Sequence, residues 1–467
     1  MTEHHGMSRR LAEYVVKARF EDLSEKAVVN AKRATLDTIA AMLAGSGVGA
    51  TGAVIDLAAS WGGAAEARVV GQGGQGGQPL RLPAPLAAWC NGVMARVLEI
   101  DDCVDDVPVH PSASAVPLLL ALAEARAGTG GLAGRDFITA LAVAQDLIIR
   151  LARATRVNAM VSGRYNLFKI FGPTAAAARV LGLDVEQTHH ALGIAYASAQ
   201  GEGQSALDGA FSLPLQQGNV AKAALIAALL AERGSTGCDD FLFGRMGFFN
   251  AFEPDPIVAP IGQGLGQVFL GEEISVKPYS ACRACHSALQ LIQQYRAEHG
   301  NGPIESITAT VNSGIFGLVG APIDGMADPY SPTAAQFSLP FSIAATLTRG
   351  DFFLDELTPE VIGDSAIRTL SRHVNVIADE SMNTDMVLGR TRLEIVAAGR
   401  DPVVLETELP LGNPANPLSF EDCGEKLRKC AAFAARPPAE DAIDALIEVV
   451  GELDTADDVA PLTAGLG

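Results

Sequence analysis

Leu98-Glu-Ile-Asp-Asp-Cys-Val-Asp-Asp-Val-Pro-Val-His-Pro-Ser-Ala-Ser-Ala-Val-Pro117 crowds four aspartates, a glutamate and a histidine between Glu99 and His110. An apolar helix-like run (Val93, Val97, Leu98, Ile100) precedes this cluster and another (Leu118 to Leu122) follows it, so the charges are held between elements that must be buried. Ser112 or Ser114 can cap the second helix, with Pro117 in its first turn. That arrangement sets His110 beside the positive end of a helix, where free backbone N–H groups favour a carboxylate. Spacing alone is equally compatible with a solvated acidic loop ahead of an ordinary cap.

A second polar cluster tips the balance. Residues 276–287, Val-Lys-Pro-Tyr-Ser-Ala-Cys-Arg-Ala-Cys-His-Ser, put Lys277, Tyr279, Arg283 and His286 together where a strand-like run passes into a helix. His286 sits one step off the apolar stripe of Cys285, Leu289 and Ile292, which lets it face outward with Arg283. Cys282-Arg-Ala-Cys285-His286 also matches the c-type haem attachment pattern and contains one C-x-x-C. Haem attachment calls for export, and zinc calls for a second ligand pair that no nearby sequence supplies. Neither a metal nor an organic cofactor is expected.

The chain has 467 residues and a formal charge of −20, which repels nucleic-acid backbones and anionic membranes and makes a local cationic cluster informative. Length argues for more than one core. No apolar run is long enough to span a bilayer and residues 1–10 are polar, so the cytosol is the expected compartment. The seven cysteines are irregularly spaced and read as reduced thiols.

Helical spacing covers Ser8–Phe20, Ser24–Ala44 (with Ser24 as cap), Thr51–Ser60, Pro83–Glu99, Ser114–Arg126, Arg135–Ala154, Pro173–Leu181, Asp184–Gln200 and Gln216–Arg233. Glu66–Val70 reads as a short strand, and the glycine-rich 71–78 as a flexible surface loop, because it lacks the Gly-Lys-Ser/Thr ending of a phosphate loop. The texture then changes. Strand-like runs at Glu272–Lys277, Ile304–Asn312 and Arg390–Ala397 alternate with helices at Arg283–Glu298, Thr333–Thr348 and Pro359–Arg372. Helices return at Ser419–Ala435 and Ala439–Glu452, which are expected to pack on the first domain. The domain reading is therefore 1–267, 268–400 and 401–467, with the middle segment α+β.

With both clusters in view the chain resembles the MmgE/PrpD family, which includes 2-methylcitrate dehydratase, cis-aconitate decarboxylase and iminodisuccinate epimerase. The resemblance rests on Asp101-Asp102 followed by His110-Pro-Ser-Ala, Phe171-Gly172 and the alanine run to Arg179, Gly244-Arg-Met-Gly-Phe-Phe249, Lys277-Pro-Tyr with Cys282 and His286, and Gln336-Phe-Ser-Leu-Pro340. It implies a mainly α protein: a large all-α domain formed by both chain ends, a smaller inserted α+β domain, a homodimer, and a site between domains. It also implies chemistry on small polycarboxylates at a carbon next to a carboxylate, without an organic cofactor. Decarboxylase-like members carry a His-x-Thr pattern where this chain reads Gly163-Arg-Tyr-Asn166, a lysine at Leu213, and a threonine at Cys103. Decarboxylation is thereby put in doubt.

The leading expectation is an epimerase of a small dicarboxylate such as iminodisuccinate; a 2-methylcitrate dehydratase-like lyase is the alternative. Candidate catalytic residues are His110, Lys277, Tyr165, His286 and Asp102, and candidate substrate contacts are Asp101, Arg164, Tyr279, Arg283 and Cys103. A non-catalytic helical scaffold is the reading of another class, and it requires the two clusters to lie far apart.

Overall fold

The computed structural model describes residues 6–107, 109–156, 162–253, 255–320, 327–383 and 388–467. Its principal helices are α1 (Met7–Lys17), α2 (Glu25–Ser46), α3 (Gly49–Ser60), α4 (Ala84–Arg96), α5 (Ser112–Arg126), α6 (Gly134–Ala154), α7 (Phe171–Val180), α8 (Val185–Tyr196), α9 (Ser212–Glu232), α10 (His286–His299), α11 (Leu339–Arg349), α12 (Phe420–Ala432) and α13 (Glu440–Gly451). The Ser24 hydroxyl accepts from Ala27 N at 3.0 Å, capping α2 as its sequence predicts. Helix α5 is buried over Ser112–Glu124, which explains an apolar pattern that continues all round it. Helices α4 and α9 meet at Gly92 and Gly218, where a Cβ on Gly92 would sit 2.9 Å from the Gly218 Cα.

Apolar side chains form two separate cores. The first draws on residues 7–276 and 418–466, together with Phe353 and Leu354; the second draws on residues 279–395. The chain thus leaves the helical core just after β4 (Ile274–Ser275), which pairs antiparallel with β3 (Cys103–Val104) and ties the crossing point to the first polar cluster. The change in composition near 267 falls slightly ahead of this crossing. Lys426 of α12 returns the tail to the first core, its buried ammonium reaching Asp37 Oδ1 at 2.5 Å and the Ile100 carbonyl at 2.6 Å.

Four strands form the sheet of the second core: β5 (Ile304–Val311), β6 (Val374–Ala378), β7 (Thr391–Ala397) and β8 (Val403–Thr407), in the order β6-β5-β7-β8. Only β5 and β6 run parallel. In β7, Leu393 and Ile395 face the core while Arg392 and Glu394 are exposed, the alternation of a one-sided sheet. The mainly α, two-core architecture agrees with the fold class read from the sequence.

Several local expectations are corrected. The glycine-rich stretch is a surface loop only over residues 74–78, the connection of a β-hairpin, since its first three residues belong to β1 (Ala67–Gly73), which pairs with β2 (Pro79–Leu82). Thr333–Thr348 breaks at Phe337–Ser338, where the Ser338 hydroxyl caps α11. Pro359–Arg372 splits at Gly363–Asp364, with Asp364 capping the second piece. Strands β6 and β8 were not legible because short half-exposed strands carry little periodicity. No single helix among the described residues is long and apolar enough to cross a membrane.

Candidate active site

Helix α4 ends at Arg96 and delivers Glu99, at φ 54°, into the interior. Folding brings both polar clusters to this point. Lys277, wholly buried, places Nζ 3.0 Å from Glu99 Oε2 and 3.8 Å from Asp101 Oδ1. Arg96 joins the same carboxylates, bonding Glu99 and lying 3.4 Å from Asp101. Two cations and two carboxylates therefore neutralise one another out of water. Lys277 is held well above the ordinary lysine range: burial opposes its charge, but Glu99 and Asp101 outweigh burial. Asp101 is held below the usual carboxylate range by Arg96, His110 and Lys277, again against burial.

His110 Nδ1 lies 2.9 Å from the Asp102 carbonyl and 3.1 Å from Asp101 Oδ2. Both neighbours can only accept, so Nδ1 carries the proton and Nε2 keeps the lone pair. Burial, reinforced by Arg96, keeps the ring below its ordinary pKa and hence neutral, with Asp101 pulling the other way.

The Asp102 carboxylate faces elsewhere. It accepts from the Ser112 hydroxyl and, at 3.2 Å, from Ser112 N. It thus occupies the α5 N-terminus that the sequence had suggested for a substrate anion, and burial pushes it up to about 7. Ser112 is the first residue of α5, not its cap; Ser114 donates to Gln217 Oε1 at 2.9 Å, and Pro117 lies beyond the first turn. Both serines lie inside the helix, behind Pro111 at its start, and their hydroxyls are taken up by Asp102 and Gln217.

Tyr165 and Arg164 are presented by a loop pinned to residues 201–203: Tyr165 N donates to Gly201 O at 3.3 Å and Gly203 N to Gly163 O at 2.9 Å. A Cβ at Gly201 would fall 1.9 Å from the Tyr165 carbonyl, so this approach requires glycine. Burial raises the Tyr165 phenol to about 12, keeping it protonated. Lys169, which sequence reading missed, is buried 5.5 Å from the Tyr165 ring centroid and driven down to about 7 by burial.

A cavity of about 410 Å3 receives these groups; Arg96, Glu99, Cys103, His110, Arg164, Tyr165, Lys277, Cys282 and Arg283 line it, with apolar wall from Leu213, Phe248, Leu318, Phe337 and Leu388. Asp101 and Asp102 stand behind that lining. Tyr279 and His286 lie off it, contrary to the outward orientation read for His286. The His286 ring is buried edge-on against Tyr279 at 5.1 Å, with Nε2 3.1 Å from the Ala281 carbonyl and Nδ1 3.3 Å from Arg283 Nη1. Arg283 grips Asp105 through two bonds of 2.8 and 3.0 Å, and Asp105 also accepts from Ser275 and Asn413. His286 therefore orients Arg283, and Tyr279 donates to Gln293 Oε1 at 2.7 Å. Asn413, a partner the sequence reading missed, lies in a loop whose pairing only the fold reveals, and Gln336, quoted there only within a motif, ends a short helix and donates to the Leu98 carbonyl at 2.7 Å. Arg96 left one signal, the single charge on α4, a helix apolar but for Asn91. Among the described residues, no group of three or more His, Cys, Asp or Glu side chains is arranged to hold a metal ion.

Comparison with known proteins places the chain. It is 24% identical over 489 residues to the cis-aconitate decarboxylase-like protein oryM of Aspergillus oryzae, covering 99% of this chain and 98% of that protein. It is 25% identical to the cis-aconitate decarboxylase of Homo sapiens over 94% of this chain and 90% of that one, and 25% identical to that of Mus musculus over 83% and 79%. The models of the MmgE/PrpD N-terminal and C-terminal domains match residues 9–260 and 279–460, and the chain belongs to the MmgE/PrpD family.

Proposed function

We propose that the chain is a lyase acting on a small polycarboxylate, removing a proton from the carbon next to a carboxylate and eliminating water from the neighbouring carbon. The observation that carries this reading is the His110 ring, whose Nδ1–H donates to the Asp102 carbonyl with Asp101 Oδ2 3.1 Å away, and whose Nε2 shares a cavity with a phenol and a buried ammonium. Nε2 takes the proton, and Lys277 and Arg96 hold the enolate-like charge. The C–O bond then breaks, and Tyr165 protonates the departing hydroxide. Burial raises the phenol, but it remains a stronger acid than water and can protonate hydroxide. The relatives' names support lyase chemistry, whereas Leu213 in the wall and Gly163 in the loop disfavour carbon dioxide as the leaving group.

Epimerisation is the second reading, favoured by the same pairing of a free base with a separate proton donor. Proton NMR of candidate hydroxy- and amino-polycarboxylates in deuterium oxide separates the two. Alkene formation supports the lyase, and deuterium uptake without loss of substrate supports the epimerase. A folded protein that does neither with any such acid removes both.

The chain is further proposed to assemble as a homodimer in a reducing compartment. Leu57 and Trp61 of the α3 end and Ile226 and Leu230 of α9 are exposed apolar side chains, joined by Trp61 stacked on Trp89 at 5.6 Å and Lys222 over that ring at 4.1 Å. All seven cysteines are unpaired.

A further inference from the structure

The charges that line the cavity bear on which acid fits it. Among the described residues, the lining cations are Arg96, Arg156, Arg164, Lys277 and Arg283. Arg96 and Lys277 are matched by Glu99 and Asp101, and Arg283 is matched by Asp105 while also donating to the Leu411 carbonyl at 2.7 Å. Arg156 is exposed, 3.8 Å from the still more exposed Asp255, where solvent screens it. Arg164 differs. It has no carboxylate within ion-pair distance among the described residues, and its Nε is buried without a partner. A buried unsatisfied donor on a cavity wall is costly unless a ligand completes it.

We infer that Arg164 anchors a substrate carboxylate, and that the apolar wall of Leu213, Phe248, Leu318, Phe337 and Leu388 receives an alkyl or aryl substituent, making the substrate a substituted dicarboxylate and not a tricarboxylate. The inference rests on the carboxylate chemistry proposed above. One carboxylate, next to the reacting carbon, takes hydrogen bonds from the Lys277 and Arg96 end; the second pairs with Arg164. A third would meet self-neutralised ion pairs, hydrocarbon or the solvent-screened Arg156, which repays little of the cost of desolvating a carboxylate. The cavity volume falls in the range that encloses ligands with substantial apolar surface.

Calorimetric titration with succinate, methylsuccinate, butylsuccinate and the tricarboxylate tricarballylate tests this without requiring turnover. Affinity is expected to rise about threefold to fourfold per buried methylene, with tricarballylate binding more weakly than butylsuccinate. Arg164→Gln should weaken all of the dicarboxylates about tenfold or more while preserving the alkyl increment, since charged hydrogen bonds of this kind are worth ~1.5–3 kcal/mol. Leu213→Lys should reverse the order, favouring tricarballylate, and it serves independently if Arg164→Gln does not fold. Tighter tricarballylate than butylsuccinate in the unaltered protein, or undiminished binding by folded Arg164→Gln, overturns the inference. The expected binding order with no turnover of any acid would remove the proposed reaction and leave the subsite standing.

Discussion

His110 and Lys277 share the carboxylate of Asp101 but are held in opposite protonation states. Burial keeps the imidazole neutral, whereas two carboxylates keep the lysine charged, which divides base from electrostatic support. Because His110 must be neutral to accept a proton and its pKa is lowered, the acid limb of kcat/KM should lie below pH 6.5. Asp101→Asn should move that limb lower still, since the carboxylate is what opposes burial. A limb at or above 6.5 in the pH–rate profile contradicts the assignment. His110→Gln should lower kcat about 10²–10⁴-fold. Lys277→Ala should cost about 10²–10³ in kcat and, by leaving Glu99 and Asp101 unmatched, about 3–5 kcal/mol in stability; Lys277→Arg should rescue only part, because the guanidinium fork does not reproduce a point contact. Steady-state kinetics beside urea unfolding separates the two effects.

At the scale of elements, the two-residue ladder of β3 and β4 and the turn ahead of α10 do work that their size conceals. They set Asp105 against Arg283 across the junction of the two cores, with Ser275 and Asn413 completing the carboxylate. Arg283→Ala should lower stability by about 3–5 kcal/mol, read as a fall in unfolding temperature. Asp105→Asn in the same background should then cost little more, because the partners are coupled; full additivity would mean the pair is not the tie between the cores. His286→Gln tests the adjoining contact: it should alter this stability more than it alters kcat, since the ring touches Arg283 and not the cavity. Helices were legible in the sequence because their apolar faces repeat. The start of α5 was not, because Pro111 holds the cap position ahead of both serines, and Ser112 and Ser114 bond to Asp102 and Gln217 from elsewhere in the fold.

Over the whole molecule, the exposed stripe of Leu57, Trp61, Ile226 and Leu230 is the surface on which a second copy is expected. Sedimentation velocity should give a dimer, and Trp61→Glu with Ile226→Glu should give a folded monomer; an unaltered dimer in that variant moves the interface elsewhere. Two independent cores further imply that local stability differs between the helical part and the sheet part, which hydrogen exchange resolves element by element.

By itself the sequence determined the helices, the switch to a mixed α and β segment, the two polar clusters and the family, because each is written in periodicity, composition or motif. Only the tertiary structure decided what those polar groups do. Lys277 meets Glu99 across 178 positions of chain, and Asn413 meets Asp105 across 308. Such pairings fix which charge is neutralised, which ring nitrogen is protonated and which cavity arginine has no carboxylate beside it among the described residues. Charge in a buried site is governed by distances of 3 to 4 Å and by exclusion of water, and neither is a property of positions along a chain.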